Sequence, residues 1–278
     1  KVKNINTPLF YYRSHNNNLT KKYEKVFNNK HQILIKNNKA NNLENSIAII
    51  PVRGKSFDIN SIDMELIGNK PLLDWTIDSL LSSKKFKAII ISTPDEIIEN
   101  YIESKQDKKI FVHKRDKSLA NTNVILDKSI QHAILEYEKK TNIKVDITVV
   151  IKTRCPFINY KHIENAMNSL KIFNLDMVVG VQLENKILYS HDGSTMKPLR
   201  KIDYDMINTS EGNIGIKIES EQIYAESGNF IVTADSANFT ENLTEAKVGH
   251  EILDSKSSFQ IKNGLDLEIA QFLATKYI

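Results

Sequence analysis

The sequence predicts an α/β fold: a three-layer, doubly wound, mostly parallel sheet with a C-terminal arm or flap. Three observations predict it. Five short runs rich in Ile and Val lack the polar alternation of a half-exposed strand, as strands buried on both faces do. The first four are each followed by a segment with helical spacing of apolar residues, the alternation that builds a parallel sheet. Basic residues gather where those strands end, and an open parallel sheet binds its ligands at the carboxyl ends of its strands.

The elements follow in order. "IAIIPV" (47–52) is the first strand, with turn chemistry at Gly54. "KPLLDWTIDSLLSS" (70–83) places apolar residues at 72, 73, 76, 77, 80 and 81, one face of a helix. "KAIIIST" (87–93) is a strand and "DEIIENYIESK" (95–105) a helix with Asp95 near its start. "KIFVHK" (109–114) is a strand and "NVILDKSIQHAILEYEKKT" (123–141) a long amphipathic helix. "DITVVIKT" (146–153), "YKHIENAMNSLKIF" (160–173) and "DMVVGVQL" (176–183) add strand, helix and strand. The rhythm breaks over 184–260, where "NIGIKI" (213–218) and "NFIVTA" (229–234) extend the sheet or form the arm; "LDLEIAQFLATKY" (265–277) closes the chain as a helix. Residues 1–45 are rich in Asn and Lys and read as an extension and linker, leaving 46–278 as the main domain.

Composition narrows the class. The chain has 278 residues, 41% hydrophobic and 26% charged, as ordinary soluble proteins do. A net charge of +4 is too small to argue for nucleic acid, and the Lys-Lys pairs read as solvated faces. One cysteine, Cys155, allows no internal disulfide and suits a reducing compartment. No apolar run approaches the roughly 18 residues of a membrane span. There is no signal-peptide hydrophobic segment, so a cytoplasmic location is expected. The chain begins at Lys1 without methionine and reads as a piece of something longer.

The strand ends carry Arg53-Gly54-Lys55, Thr93-Pro94-Asp95, His113-Lys114-Arg115 and Lys152-Thr153-Arg154. Three of the four are basic, which suggests a phosphate-bearing ligand. The bland alternative is that lysine is abundant throughout. A thiol nucleophile built on Cys155 finds no supporting spacing, and the seven histidines show none for a metal. Trp75 and the tyrosines form no base-stacking platform.

Several segments resemble the acylneuraminate/Kdo-type cytidylyltransferases. They are Ile50-Pro51-Val52-Arg53-Gly54 and Gly68-Asn69-Lys70-Pro71-Leu72-Leu73, then Arg115 with Leu119-Ala120, Asn121-Thr122-Asn123 and His132-Ala133. Ile151–Pro156 and the Ile261–Ala270 segment complete the series, which spans roughly 46 to 275 in order. The resemblance implies a nucleotide-diphospho-sugar transferase-like fold and CMP transfer from CTP to an acidic sugar, with Mg²⁺ assisting and pyrophosphate leaving. It also implies CMP-sugar biosynthesis for cell-surface polysaccharide, and a homodimer formed through 184–230. Arg53, Lys55 and Lys70 would be catalytic. Arg53, Gly54, Lys55, Lys70, Arg115, Asn123 and Lys152 would bind nucleotide, and Asp266 would hold the metal.

The departures from the pattern carry weight. The loop Gly54–Asp63 is one residue shorter than the family's and two glycines poorer, which restricts how backbone N–H groups wrap a phosphate. The family's loop lysines fall on Phe57 and Ile62, Asp58 adds a repelling charge, and Lys55 is the candidate replacement. The expected metal aspartates are Gln260 and Lys262, and Asp266 also reads as a helix cap. Two readings stand: an active cytidylyltransferase, or a non-catalytic nucleotide- or partner-binding domain of the same fold. "PLFYYRSHNNNLTKKYEKVF" (8–27), with Arg13 and His15, resembles the tail of family-two glycosyltransferases and implies a fusion. A surface histidine in an Asn-rich tail is the alternative.

Overall fold

Strand β1 (Ser46–Pro51) is buried from Ser46 to Ile50 because successive side chains feed two different cores. Ala48 and Ile50 pack into one, Ile47 and Ile49 into the other, which is why the run shows no polar alternation. The computed structural model describes residues 45–120, 126–184, 186, 188–199, 223–234 and 246–276. All of them fall within one compact unit, Leu43–Ile278. The glycosyltransferase-like segment with Arg13 and His15, Asn123, and the strand expected at 213–218 lie outside the described residues.

After β1 come a small hairpin, β2 (Leu66–Ile67) and β3 (Lys70–Pro71), and helix α1 (Leu72–Leu81). The hairpin escaped the sequence reading, which ran the helix from 70; Pro71 instead sits at the N-cap, and Gly68 turns the hairpin at φ +63°. Next are β4 (Phe86–Thr93), α2 (Glu96–Ser104), β5 (Ile110–Lys114), a 3₁₀ turn (Lys117–Ala120) and α3 (Leu126–Thr141). Then follow β6 (Ile147–Ile151), α4 (Tyr160–Ile172), β7 (Met177–Glu184), the hairpin β8 (Tyr189–His191) and β9 (Met196–Pro198), β10 (Ile223–Ala234), β11 (Val248–Ile252) and α5 (Gly264–Ala274).

The main sheet runs β11-β7-β10-β6-β1-β4-β5. β5, β4, β1 and β6 pair in parallel, as do β7 and β11, while β10 runs antiparallel to both β6 and β7. The mostly parallel sheet is therefore as expected. The segment 229–234 joins the sheet as expected, as an interior strand wedged between β6 and β7. Its interior position follows from burial: Phe230 and Val232 are 1% and 0% exposed.

Helices lie on both faces. Leu73, Ile77 and Leu80 of α1, Ile98 and Ile102 of α2, and Ile163, Met167 and Leu170 of α4 cover one face. Ile130, Ala133, Ile134 and Tyr137 of α3 cover the other. Each fully buried Leu or Ile contributes about 1.5–3 kcal/mol relative to exposure. α5 packs separately, with Ala270 and Ala274 against Ile67, Leu72 and Phe157.

β11 is tied to α4 by a polar clip. His162 Nδ1 and Nε2 lie 2.9 Å from Glu251 Oε1 and 3.0 Å from Asp254 Oδ2, and Asn165 Nδ2 donates to Glu251 Oε1 at 3.1 Å. Burial opposes the imidazolium, but the hydrogen bonds and charges of Glu251 and Asp254 outweigh it and raise the His162 pKa above its ordinary 6.5. A raised folded-state pKa stabilises fully below the unfolded value and ceases to do so as pH rises through the folded one. Thermal melts of wild type and His162→Gln should therefore differ most below pH 6.5 and converge as pH rises. A constant difference across that range would refute the clip.

Candidate functional site

The loop after β1 is built around a close approach. Gly54 has φ +72°, and a Cβ there would lie well under 3.0 Å from the Asp95 carboxylate. Asp95, 2% exposed, caps α2 by accepting from Ile97 N at 2.9 Å through Oδ1, as its place before the helix suggests. Its Oδ2 accepts from Ser56 N at 3.1 Å. That bond engages a loop N–H within the protein itself. Asp58, expected to repel phosphate, also shapes the turn: its N–H donates to Gly54 O at 2.9 Å and its Oδ1 accepts from Asn60 N at 3.0 Å.

Arg53 lies in this loop, and a second arginine stands at the end of β5. Arg115 follows β5 and is 5% exposed. Its N–H donates to Thr93 O at 2.8 Å. Its Nη2 donates to Ser92 O at 2.6 Å and its Nε to Ser92 Oγ at 3.2 Å. Burial, and then the neighbouring charge of Arg53, push the Arg115 pKa down to about 10. No described carboxylate bonds either guanidinium. A buried cation under the influence of a second cation is costly without a counter-charge.

The other expected residues divide into two groups. Lys55 pairs with Glu65 at 2.5 Å. The same two residues line a cavity of about 410 Å³ together with Asn60, Arg154, Lys262 and Asn263. Lys152 and Gln260 converge on Gly228, each 3.8 Å from where a Cβ would sit. The charges of Lys152 and Lys262 both act on Cys155, whose burial nonetheless pushes its thiol up to about 12, so it is no nucleophile. Lys70 is not joined to the arginine pair by any described interaction. Its ammonium lies 4.2 Å over the Trp75 ring and is paired with Asp78.

The residues at the expected metal positions do not suit Mg²⁺. Asp266 Oδ2 accepts from Lys262 N at 2.8 Å and Asn263 N at 3.1 Å, closing a capping box at the start of α5. Its helix-cap role thus prevails over metal binding, because the carboxylate is already engaged by main-chain N–H groups. The family's other two positions carry Gln260 and Lys262, an amide and an ammonium, where a hard cation needs carboxylate oxygens.

Sequence reading missed one constellation. His113, His132 and Glu136 place their ligand atoms within 4.8 Å of one another. The spacing of His132 and Glu136, four residues apart on α3, was the available signal; His113 reaches them only through the sheet.

Comparisons with known proteins agree with this architecture. A family model described as cytidylyltransferase matches residues 47–246. The N-acylneuraminate cytidylyltransferase of Escherichia coli O18:K1:H7 (strain RS218 / NMEC) is 25% identical over 233 residues, covering 81% of this chain and 51% of its own length. The chain thus spans about half the length of that curated relative. Among solved structures, 4-diphosphocytidyl-2C-methyl-D-erythritol synthase from Anaerococcus prevotii DSM 20548 superposes with a TM-score of 0.56 at 13% identity, over 84% of this chain and all of its own. A CMP:2-keto-3-deoxy-manno-octonic acid synthetase complexed with CTP gives 0.57 at 11% identity over the same shares. At such identities the likeness is one of fold.

Proposed function

This chain belongs to the cytidylyltransferase family, and on that premise we propose that it transfers CMP from CTP to an acidic, nonulosonic-type sugar, releasing pyrophosphate. The observation that carries the reading is the arginine pair: Arg115 is 5% exposed, its pKa lowered by burial and then by the charge of Arg53, with no described carboxylate bonded to either. Phosphate oxygens supply the charge that pair lacks. Lys55 borders the neighbouring 410 Å³ cavity with Arg154 and Lys262. That volume lies in the range of small-molecule pockets, and its cations suit a sugar carboxylate.

In the reaction, the sugar hydroxyl oxygen bonds to the α-phosphorus as the bond from that phosphorus to the pyrophosphate oxygen breaks. The hydroxyl proton passes to solvent, and negative charge collects on pyrophosphate. Arg53 and Arg115 hold the phosphates, and fixed cations facing the developing charge lower the barrier. Lys55, Arg154 and Lys262 orient the sugar. No step is assigned to Mg²⁺.

A second reading, a nucleotide- or partner-binding domain with weakened chemistry, is favoured by the engagement of Asp266 in its cap and of Ser56 N by Asp95. Calorimetry with CTP, with and without Mg²⁺, and pyrophosphate release across a panel of acidic sugars separate the two. Sugar-dependent release supports transfer. CTP binding without turnover supports the second reading, and no affinity for CTP overturns both. Gln260→Asp with Lys262→Asp is expected to make CTP affinity at least about tenfold more responsive to Mg²⁺, since carboxylates would replace an amide and an ammonium.

A further inference from the structure

We propose that His113, His132 and Glu136 form a binding site for a divalent cation of the zinc class. Their ligand atoms lie within 4.8 Å of one another. His113 Nε2 is 3.4 Å from Glu136 Oε2, close to the roughly 3.3 Å between two ligands of a tetrahedral zinc with bonds near 2.0–2.1 Å. It is 2.7 Å from His132 Nδ1. Two imidazole nitrogens facing at that distance share either a proton or a cation. His132 is exposed, so its ring can withdraw the few tenths of an ångström that a metal requires.

The site has the support that metal ligands need. His113 is 3% exposed and its Nδ1 lies 2.9 Å from Ser92 Oγ, which fixes the ring and aims Nε2 outward. Lys140 engages Glu136 Oε1 at 2.5 Å and leaves Oε2 facing the histidines. Two imidazoles and one carboxylate with an open fourth position match zinc better than the all-oxygen preference of Mg²⁺. Ser92 Oγ accepts from Arg115 Nε as well, so the cation, by keeping the His113 proton on Nδ1, holds the hydroxyl as the acceptor for both.

The test is a titration of the metal-stripped chain with Zn²⁺ by calorimetry, and with Co²⁺ by visible absorption. Wild type should take up one equivalent, with the intense visible bands of tetrahedral cobalt. His132→Ala and Glu136→Gln, both outside the buried core, should each weaken binding at least about tenfold, while His162→Ala leaves it unchanged. Equal binding by wild type and the His132→Ala/Glu136→Gln double variant, or no uptake by wild type, would overturn the site.

Discussion

Replacing Arg53 by alanine is expected to weaken CTP binding roughly 100-fold while leaving the thermal midpoint unchanged or slightly raised. Charge-assisted hydrogen bonds contribute about 1.5–3 kcal/mol each, so losing two at the low end of that range weakens affinity by roughly that factor. Stability moves the other way, because Arg53 presents a like charge to buried Arg115, helping to lower its pKa to about 10. Removing it relieves the folded state. Arg115→Ala behaves differently: it should lose both affinity and stability, since its guanidinium also satisfies Ser92 O. Calorimetry and thermal melts measure the two quantities. An Arg53→Ala protein that binds CTP like wild type would remove the main support for a phosphate site on this rim.

Gly54→Ala should destabilise the domain by roughly 2–5 kcal/mol, from the cost of a left-handed non-glycine residue plus overpacking. A midpoint lower by about 10 °C is the corresponding shift for a domain of this size. The cause is specific: at φ +72° the new methyl points at the Asp95 carboxylate. That carboxylate is itself held by Ile97 N and Ser56 N, so it cannot swing away without abandoning the α2 cap and the loop. Asp95→Ala alone should cost about 1 kcal/mol as a lost cap. The double variant should lose less than the sum of the two, because the carboxylate, the nearest clash group, has gone and only the residue-95 Cβ, 2.6 Å away, remains. Urea unfolding of the four proteins checks this, and strict additivity would mean that the close approach is not what makes glycine necessary.

The elements set by local pattern were the legible ones. β1, β4, β5, β6 and β7 fall within a residue or two of the apolar runs, and Asp95 caps α2 as its position before the helix suggests. β10 is the contrary case. Its sequence reads as a strand, but nothing local states that it runs antiparallel between β6 and β7, because strand partners are chosen by long-range pairing. The site divides the same way. Arg53 and Arg115 follow strands and could be marked from their positions. Lys70, marked by the same logic, is paired with Asp78 on the outer side of α1.

The sequence by itself determined that buried parallel strands would alternate with helices and that cations would line their carboxyl ends, because apolar periodicity and the residue after each strand are local properties of the chain. Only the tertiary structure decided which charges meet: that the charge of Arg53 acts on buried Arg115, that Asp266 is committed to a helix cap, and that His113 joins His132 and Glu136 across the β5–α3 layer. Coulomb energy and metal ligation depend on distances of a few ångströms, and those distances are set by how strands pair and helices pack, not by separation along the chain.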